Sequence, residues 1–189
     1  MTPGFADPVA DAQASFRAMM EAIARPGRIQ SLPVPAGLPR GLHAAGAAAV
    51  LTLADAETPL WTDAGAEARD WIVFHTGAPL VADPAEADFL LAIGAPPALS
   101  SLRAGTDEAP QEGATLILQV RGLMAGSGWC LTGPGIADRH ALLAEGLQPG
   151  FAAAWAEGTA CFPRGCDLFL AAGDRIAALP RTTRIVEPA

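Results

Sequence analysis

"TLILQV", Thr115 to Val120, sets three large aliphatic residues side by side and carries no charge. A run this short and this apolar suits a central strand covered on both faces, since a strand with one wet face would alternate apolar and polar residues. "DLFLAA" (Asp167 to Ala172), "RIAAL" (Arg175 to Leu179) and "GWCLT" (Gly128 to Thr132) read as further strands. Shorter ones are expected at Arg28 to Leu32, Leu60 to Thr62 and Phe89 to Ile93.

Helical patterns lie between these strands. From Asp7 to Ala24, the residues Phe16, Met19, Met20 and Ile23 fall at i, i+3, i+4 and i+7, and "RPG" (Arg25 to Gly27) then stops the helix. Gly41 to Ala54 reads as an alanine-rich helix packed close against its neighbours, Ala66 to Phe74 as a further helix, and Asp138 to Trp155 as a helical stretch. Gly94 to Gly113 is rich in loop residues, with room for one helical turn. At 189 residues the chain suits one α/β domain spanning 1–189, with its core about 11–183, and no repeat or second-domain linker interrupts it.

Composition narrows the function. With 51% hydrophobic and 17% charged residues, the chain is far from the make-up of a disordered protein. "AAGAAAVLTLA" (Ala44 to Ala54) falls well short of the roughly 20 apolar residues that span a bilayer. The N-terminus has no basic region followed by an apolar core, so a cytoplasmic location is expected. Net charge is −8, and residues 55–88 hold eight acids against Arg69 alone, a field that repels phosphate backbones and argues against nucleic acid. From Cys161 onward the balance changes, with Arg164, Arg175, Arg181 and Arg184 against Asp167, Asp174 and Glu187, so an anion site would belong there. All twelve basic residues are arginine. Without lysine the chain can form no internal aldimine with pyridoxal phosphate and no P-loop.

Four short stretches are candidate sites. "LTGPGI" (Leu131 to Ile136) has the look of a phosphate-holding loop, yet Pro134 removes a backbone N–H and Asp138 stands where the following helix is expected to start, so the loop reads as a structural turn. "CFPRGC" sets Cys161 and Cys166 around a Pro/Gly turn, but Cys130, His43, His75 and His140 supply no second paired spacing for a zinc, so reduced thiols are expected and no metal. "FHTGAP" places His75 and Thr76 just after a helix, where they face a cleft or merely cap the helix end. "LPRTTR" gathers Arg181, Thr182, Thr183 and Arg184, groups that bind phosphate or a partner's carboxylate unless they are an ordinary strand end.

Taken in order, "DAQASFRAMMEAIARPG", "LTLADAETPLW", "FHTGAPLV", "PQEGATLILQV", "LTGPGI", "FPRGCDLFL" and "ALPRTT" resemble the PhnH family of the bacterial carbon-phosphorus lyase core complex, from about Asp11 to Thr183. The resemblance implies a mixed sheet with helices on both faces, similar to the pyridoxal-phosphate-dependent transferases but without the cofactor. It implies a cytoplasmic protein that works with subunits G, I and L of that system to join an alkylphosphonate to the ribose of ATP, displacing adenine. Subunits G, I and J are the implied partners, with K and L reached through the complex. Of these, J carries a domain similar to the PhnH family, so a homodimer of the isolated chain and the assembled complex are expected to compete for one surface. No catalytic residue carries over. Motif positions that would bind a ligand or a partner are Arg17, His75, Thr76, Gly133, Gly135, Asp167, Arg181, Thr182 and Thr183. Two roles remain open: a non-catalytic assembly component, or a component with its own nucleotide or phosphonate site.

Overall fold

The structure, a computed structural model, describes residues 3–186, so Glu187 lies outside it. In chain order the first elements are α1 (Pro8–Ala24), β1 (Gln30–Ser31), α2 (Ala44–Leu53), β2 (Leu60–Thr62), α3 (Ala66–Thr76) and β3 (Phe89–Ala92). They are followed by β4 (Thr115–Gln119), β5 (Gly122–Thr132), β6 (His140–Glu145), α4 (Phe151–Thr159), β7 (Asp167–Ala172), β8 (Arg175–Leu179) and β9 (Arg184–Val186). Six strands make a mixed sheet in the order β1-β8-β7-β4-β3-β2, and three make an antiparallel sheet in the order β6-β5-β9.

The apolar runs are the centre of the large sheet. β4 lies parallel to both β3 and β7, with Leu116 facing Leu90 and Leu168, and Ile117 facing Leu91 and Phe169. Alternate side chains go to opposite faces, so one strand feeds two cores. Leu91, Ile117, Phe169 and Ala171 pack with Met19, Val50, Trp71 and Ile72. Leu90, Leu116, Leu118, Leu168 and Leu170 pack with Leu123, Leu131, Leu142, Phe151 and Trp155.

The two faces are covered differently. Helices α1, α2 and α3 supply the first, while the second is covered by the small sheet with α4 as its one long helix. Ala44 to Val50 of α2 are buried without exception, as the alanine-rich sequence leads one to expect. Asp7 caps α1, its Oδ1 accepting from the N–H groups of Val9 and Ala10 at 3.2 and 3.0 Å, with Pro8 in the first turn.

Three expectations are corrected. The stretch from Asp138 to Trp155 is not one helix: His140–Glu145 is a strand paired with β5, and α4 begins only at Phe151. "HALLAE" has helix-forming residues, but pairing along β5 and full burial of Leu142 outweigh that local preference. Asp138 therefore caps no helix. β5 starts at Gly122, earlier than expected, because Ala125 and Trp129 both face Leu142 and the residues between them bulge out. On α1 the buried side chains are Ser15, Met19 and Ala22, while Phe16 and Met20 are exposed. Among the described residues, no helix is long and apolar enough to cross a membrane.

Candidate functional site

The carboxyl ends of the parallel strands are where an open α/β sheet usually receives a ligand. Here the chain fills that rim itself. Gln119, at the end of β4, accepts from the His43 N–H at 2.8 Å and donates to the Gly41 carbonyl at 2.8 Å. His43 Nδ1 lies 3.2 Å from the Ala171 carbonyl, and the N–H of Ala45 donates to Gly173 O at 2.8 Å. The start of α2 is thus tied to β4 and β7. Asp63, following β2, accepts from the N–H groups of Ile93 at 2.7 Å and Gly94 at 3.0 Å. Apart from His43, weighed only as a zinc ligand, none of these residues stands out as a site residue in the sequence. The one usable sign is Gln119, a lone polar residue in an otherwise apolar run.

"LTGPGI" is a turn held by close backbone contacts. Gly133 and Gly135 have φ of 137° and 82°, a region that favours glycine. A Cβ at Gly133 would lie 2.8 Å from the Thr182 carbonyl oxygen, and one at Gly135 would collide with the carbonyl oxygen of Ala24. Backbone therefore crowds both glycines on the side a Cβ would occupy.

Asp167 and Arg181 form a two-pronged clasp. Asp167 Oδ1 accepts from Arg181 N–H at 2.9 Å and from Nε at 3.2 Å, and Oδ2 accepts from Nη2 at 2.7 Å. Nη1 donates to the Pro110 carbonyl. Thr183 is fully buried, its N–H bonded to Pro180 O at 2.7 Å and its carbonyl accepting from Trp155 Nε1 at 2.8 Å. The Thr183 hydroxyl has no partner among the described residues. Thr182 is half-buried, and its carbonyl faces Gly133.

The other motif residues lie elsewhere. His75 sits in the last turn of α3, its ring edge-on to Trp71 and Phe74 with centroids 4.8 and 5.0 Å apart, and Gly4 lies against it. The Thr76 hydroxyl donates to Ile72 O at 2.8 Å and accepts from the Ala78 N–H at 3.1 Å, closing the helix end. These contacts belong to the helical layer, across the sheet from Leu131 and Leu179, which flank the other group. Arg17 is exposed on α1 and makes no ion pair among the described residues. The nine motif positions therefore divide among three places.

Cys130, Cys161 and Cys166 are free thiols. Burial pushes the Cys166 thiol up from an ordinary 9.0 to about 11, and the neighbouring Asp167 charge adds to the rise. Among the described residues no three His, Cys, Asp or Glu side chains converge as metal ligands would.

The family model described as "Bacterial phosphonate metabolism protein (PhnH)" matches residues 3–186. The chain belongs to the PhnH family. A relative from Rhizobium meliloti (strain 1021), alpha-D-ribose 1-methylphosphonate 5-triphosphate synthase subunit PhnH, is 39% identical over 186 residues, covering 96% of this chain and 93% of the relative. The putative C-P lyase subunit protein HtxG of Stutzerimonas stutzeri is 35% identical over 173 residues, covering 92% and 85%. Three of the motifs that carry the PhnH resemblance in the sequence are engaged within the chain in this structure: the Asp167–Arg181 clasp, the crowded turn at Gly133 to Gly135, and the closed end of α3.

Proposed function

We propose that the chain is a component of the carbon-phosphorus lyase system for phosphonate use, needed with subunits G, I and L to form alpha-D-ribose 1-methylphosphonate 5-triphosphate from ATP and methylphosphonate with release of adenine. Its part in that reaction is assembly and not catalysis. The names carried by its relatives support the pathway. The observation that carries the molecular role is that Asp167, Arg181, Thr76 and both turn glycines are taken up by contacts within the chain, which leaves no acid, base and nucleophile converging among the motif residues.

Arg17 suits the assembly role, being exposed on α1 next to the exposed Phe16 and one turn from the exposed Met20. In this reading the chain acts in the cytoplasm, on a scaffold similar to the pyridoxal-phosphate-dependent transferases, without that cofactor or a metal. It is a homodimer when isolated and passes to subunits G, I and J on assembly, with K and L joining through the complex. A deletion host supplied with the gene and given methylphosphonate as its phosphorus source tests this. Growth should return with the wild-type chain, and subunits G, I and J should co-purify with it. Restored growth with the chain isolated from those subunits would contradict an assembly role.

A further inference from the structure

The charge of the chain is concentrated at one edge. Residues 55–88 carry eight carboxylates and one arginine, a net −7 of the −8 of the whole chain, so the other residues together come to −1. In the fold this stretch is one continuous unit at the outer end of the large sheet. β2 is the last strand, α3 packs over it, and the return to β3 runs alongside. The Leu60 N–H donates to Pro79 O at 2.9 Å, that of Val81 to Leu60 O at 3.0 Å, and that of Asp88 to Pro59 O at 2.8 Å.

Within this unit the end of α3 turns apolar side chains to water. Phe74 is 64% exposed, and Val73 beside it and Leu80 beyond the helix end are exposed as well. Carboxylates surround them. Asp70 stands one turn before Val73 and Phe74, Asp83 follows Leu80 by three residues, and Glu57 follows Ala56, which lies against Gly77 at the helix end. Glu57, Asp70 and Asp83 are exposed, and none is in an ion pair among the described residues. An apolar centre within a polar rim is the make-up of a protein interface, and a rim of one sign sets the sign of what covers it. Nucleic acid and anionic lipid carry the wrong charge. A second copy meeting this edge across a two-fold axis would set the same carboxylates against themselves, because such a contact uses one patch twice.

We propose that the exposed end of α3, from Asp70 to Leu80 with Glu57 and Asp83 at its rim, is a docking surface for a different protein, one that offers large apolar side chains ringed by arginine or lysine. The inference rests on the assembly role proposed above and names where on this chain the assembly is made. Val73 and Phe74 are its apolar anchors, and the carboxylates steer the partner and fix its register.

The full-length chain is combined with subunits G, I and J, and its affinity for them is measured at about 50 and about 300 mM salt, where screening differs strongly. The wild type is compared with Phe74→Ser, Asp70→Arg and Glu157→Arg. Glu157 is exposed on α4, on the opposite face of the large sheet, so its reversal changes net charge as Asp70→Arg does without touching the surface. Wild-type affinity should fall about tenfold between the two salt concentrations. Phe74→Ser and Asp70→Arg should each weaken binding about tenfold or more at low salt, with Glu157→Arg within about twofold of the wild type. All three positions are exposed, so melting temperatures should stay close to that of the wild type. No complex with the wild-type chain would remove the assembly role and this surface together. A complex that is indifferent to salt, that survives both α3 substitutions, or that Glu157→Arg weakens as much, would leave the assembly role standing and overturn the surface alone.

Discussion

Arg181 gives its main-chain N–H and all three guanidinium nitrogens to groups of its own chain, and its side chain is only 13% exposed, against 26% for Asp167. Residue types in "LPRTT" suggest an anion ligand, because a sequence displays the arginine but not the carboxylate 14 positions earlier that takes it. Removing one partner of such a pair strands the other, a cost of about 3–5 kcal/mol when both are fully buried and less here because both retain some solvent. Arg181→Ala should therefore destabilise the fold by about 2–3 kcal/mol, lowering the melting temperature by about 2–4 °C for each kcal/mol. Thermal melts check this, and a change below about 0.5 kcal/mol would make Arg181 a free surface cation. Cys166 supplies a pH signature. Its folded pKa of about 11 is above the ordinary 9.0, so its contribution to stability is complete below pH 9 and is lost as pH rises towards 11, where the unfolded chain alone gives up the proton. Urea midpoints measured from pH 8 to 11 should fall for the wild type and fall less for Cys166→Ala.

At the scale of elements, the sequence is most legible where burial is one-directional. The apolar runs of β4, β7 and β8 and the alanine-rich stretch of α2 from Ala44 to Val50 are buried, so composition alone marks them. β6 and the first half of β5 are illegible for the opposite reason: Ala, Leu and Glu favour a helix locally, and "GLMAGSG" has too many glycines to look like a strand. Pairing between the two decides their form. The turn "LTGPGI" reads as structural, and its glycines fit that reading by position. Gly135→Ala would add strain at positive φ and a clash with Ala24, a loss of about 2 kcal/mol or more. Gly150→Ala, at φ 86° but in open space, should lose only about 1 kcal/mol. Equal losses in chemical denaturation would mean that the backbone contact at Gly135 is not made.

For the whole molecule, strand order lies beyond the sequence, because β5 to α4 intervene between the neighbours β4 and β7 and nothing local records which strands meet. The candidate site is legible as a set of motifs and not as a place, since His75 and Thr76, Arg17, and the Asp167–Arg181 group occupy separate regions. Motif residues taken up by the fold, together with an exposed arginine beside the exposed Phe16 and Met20, suit a protein that acts by being bound. The most direct measurement is adenine release from ATP and methylphosphonate, followed chromatographically for this chain alone, for subunits G, I and L, and for all four together. The expected result is release only when all four are present. Adenine released by this chain alone, or full release by G, I and L without it, would contradict an assembly component required for the transfer.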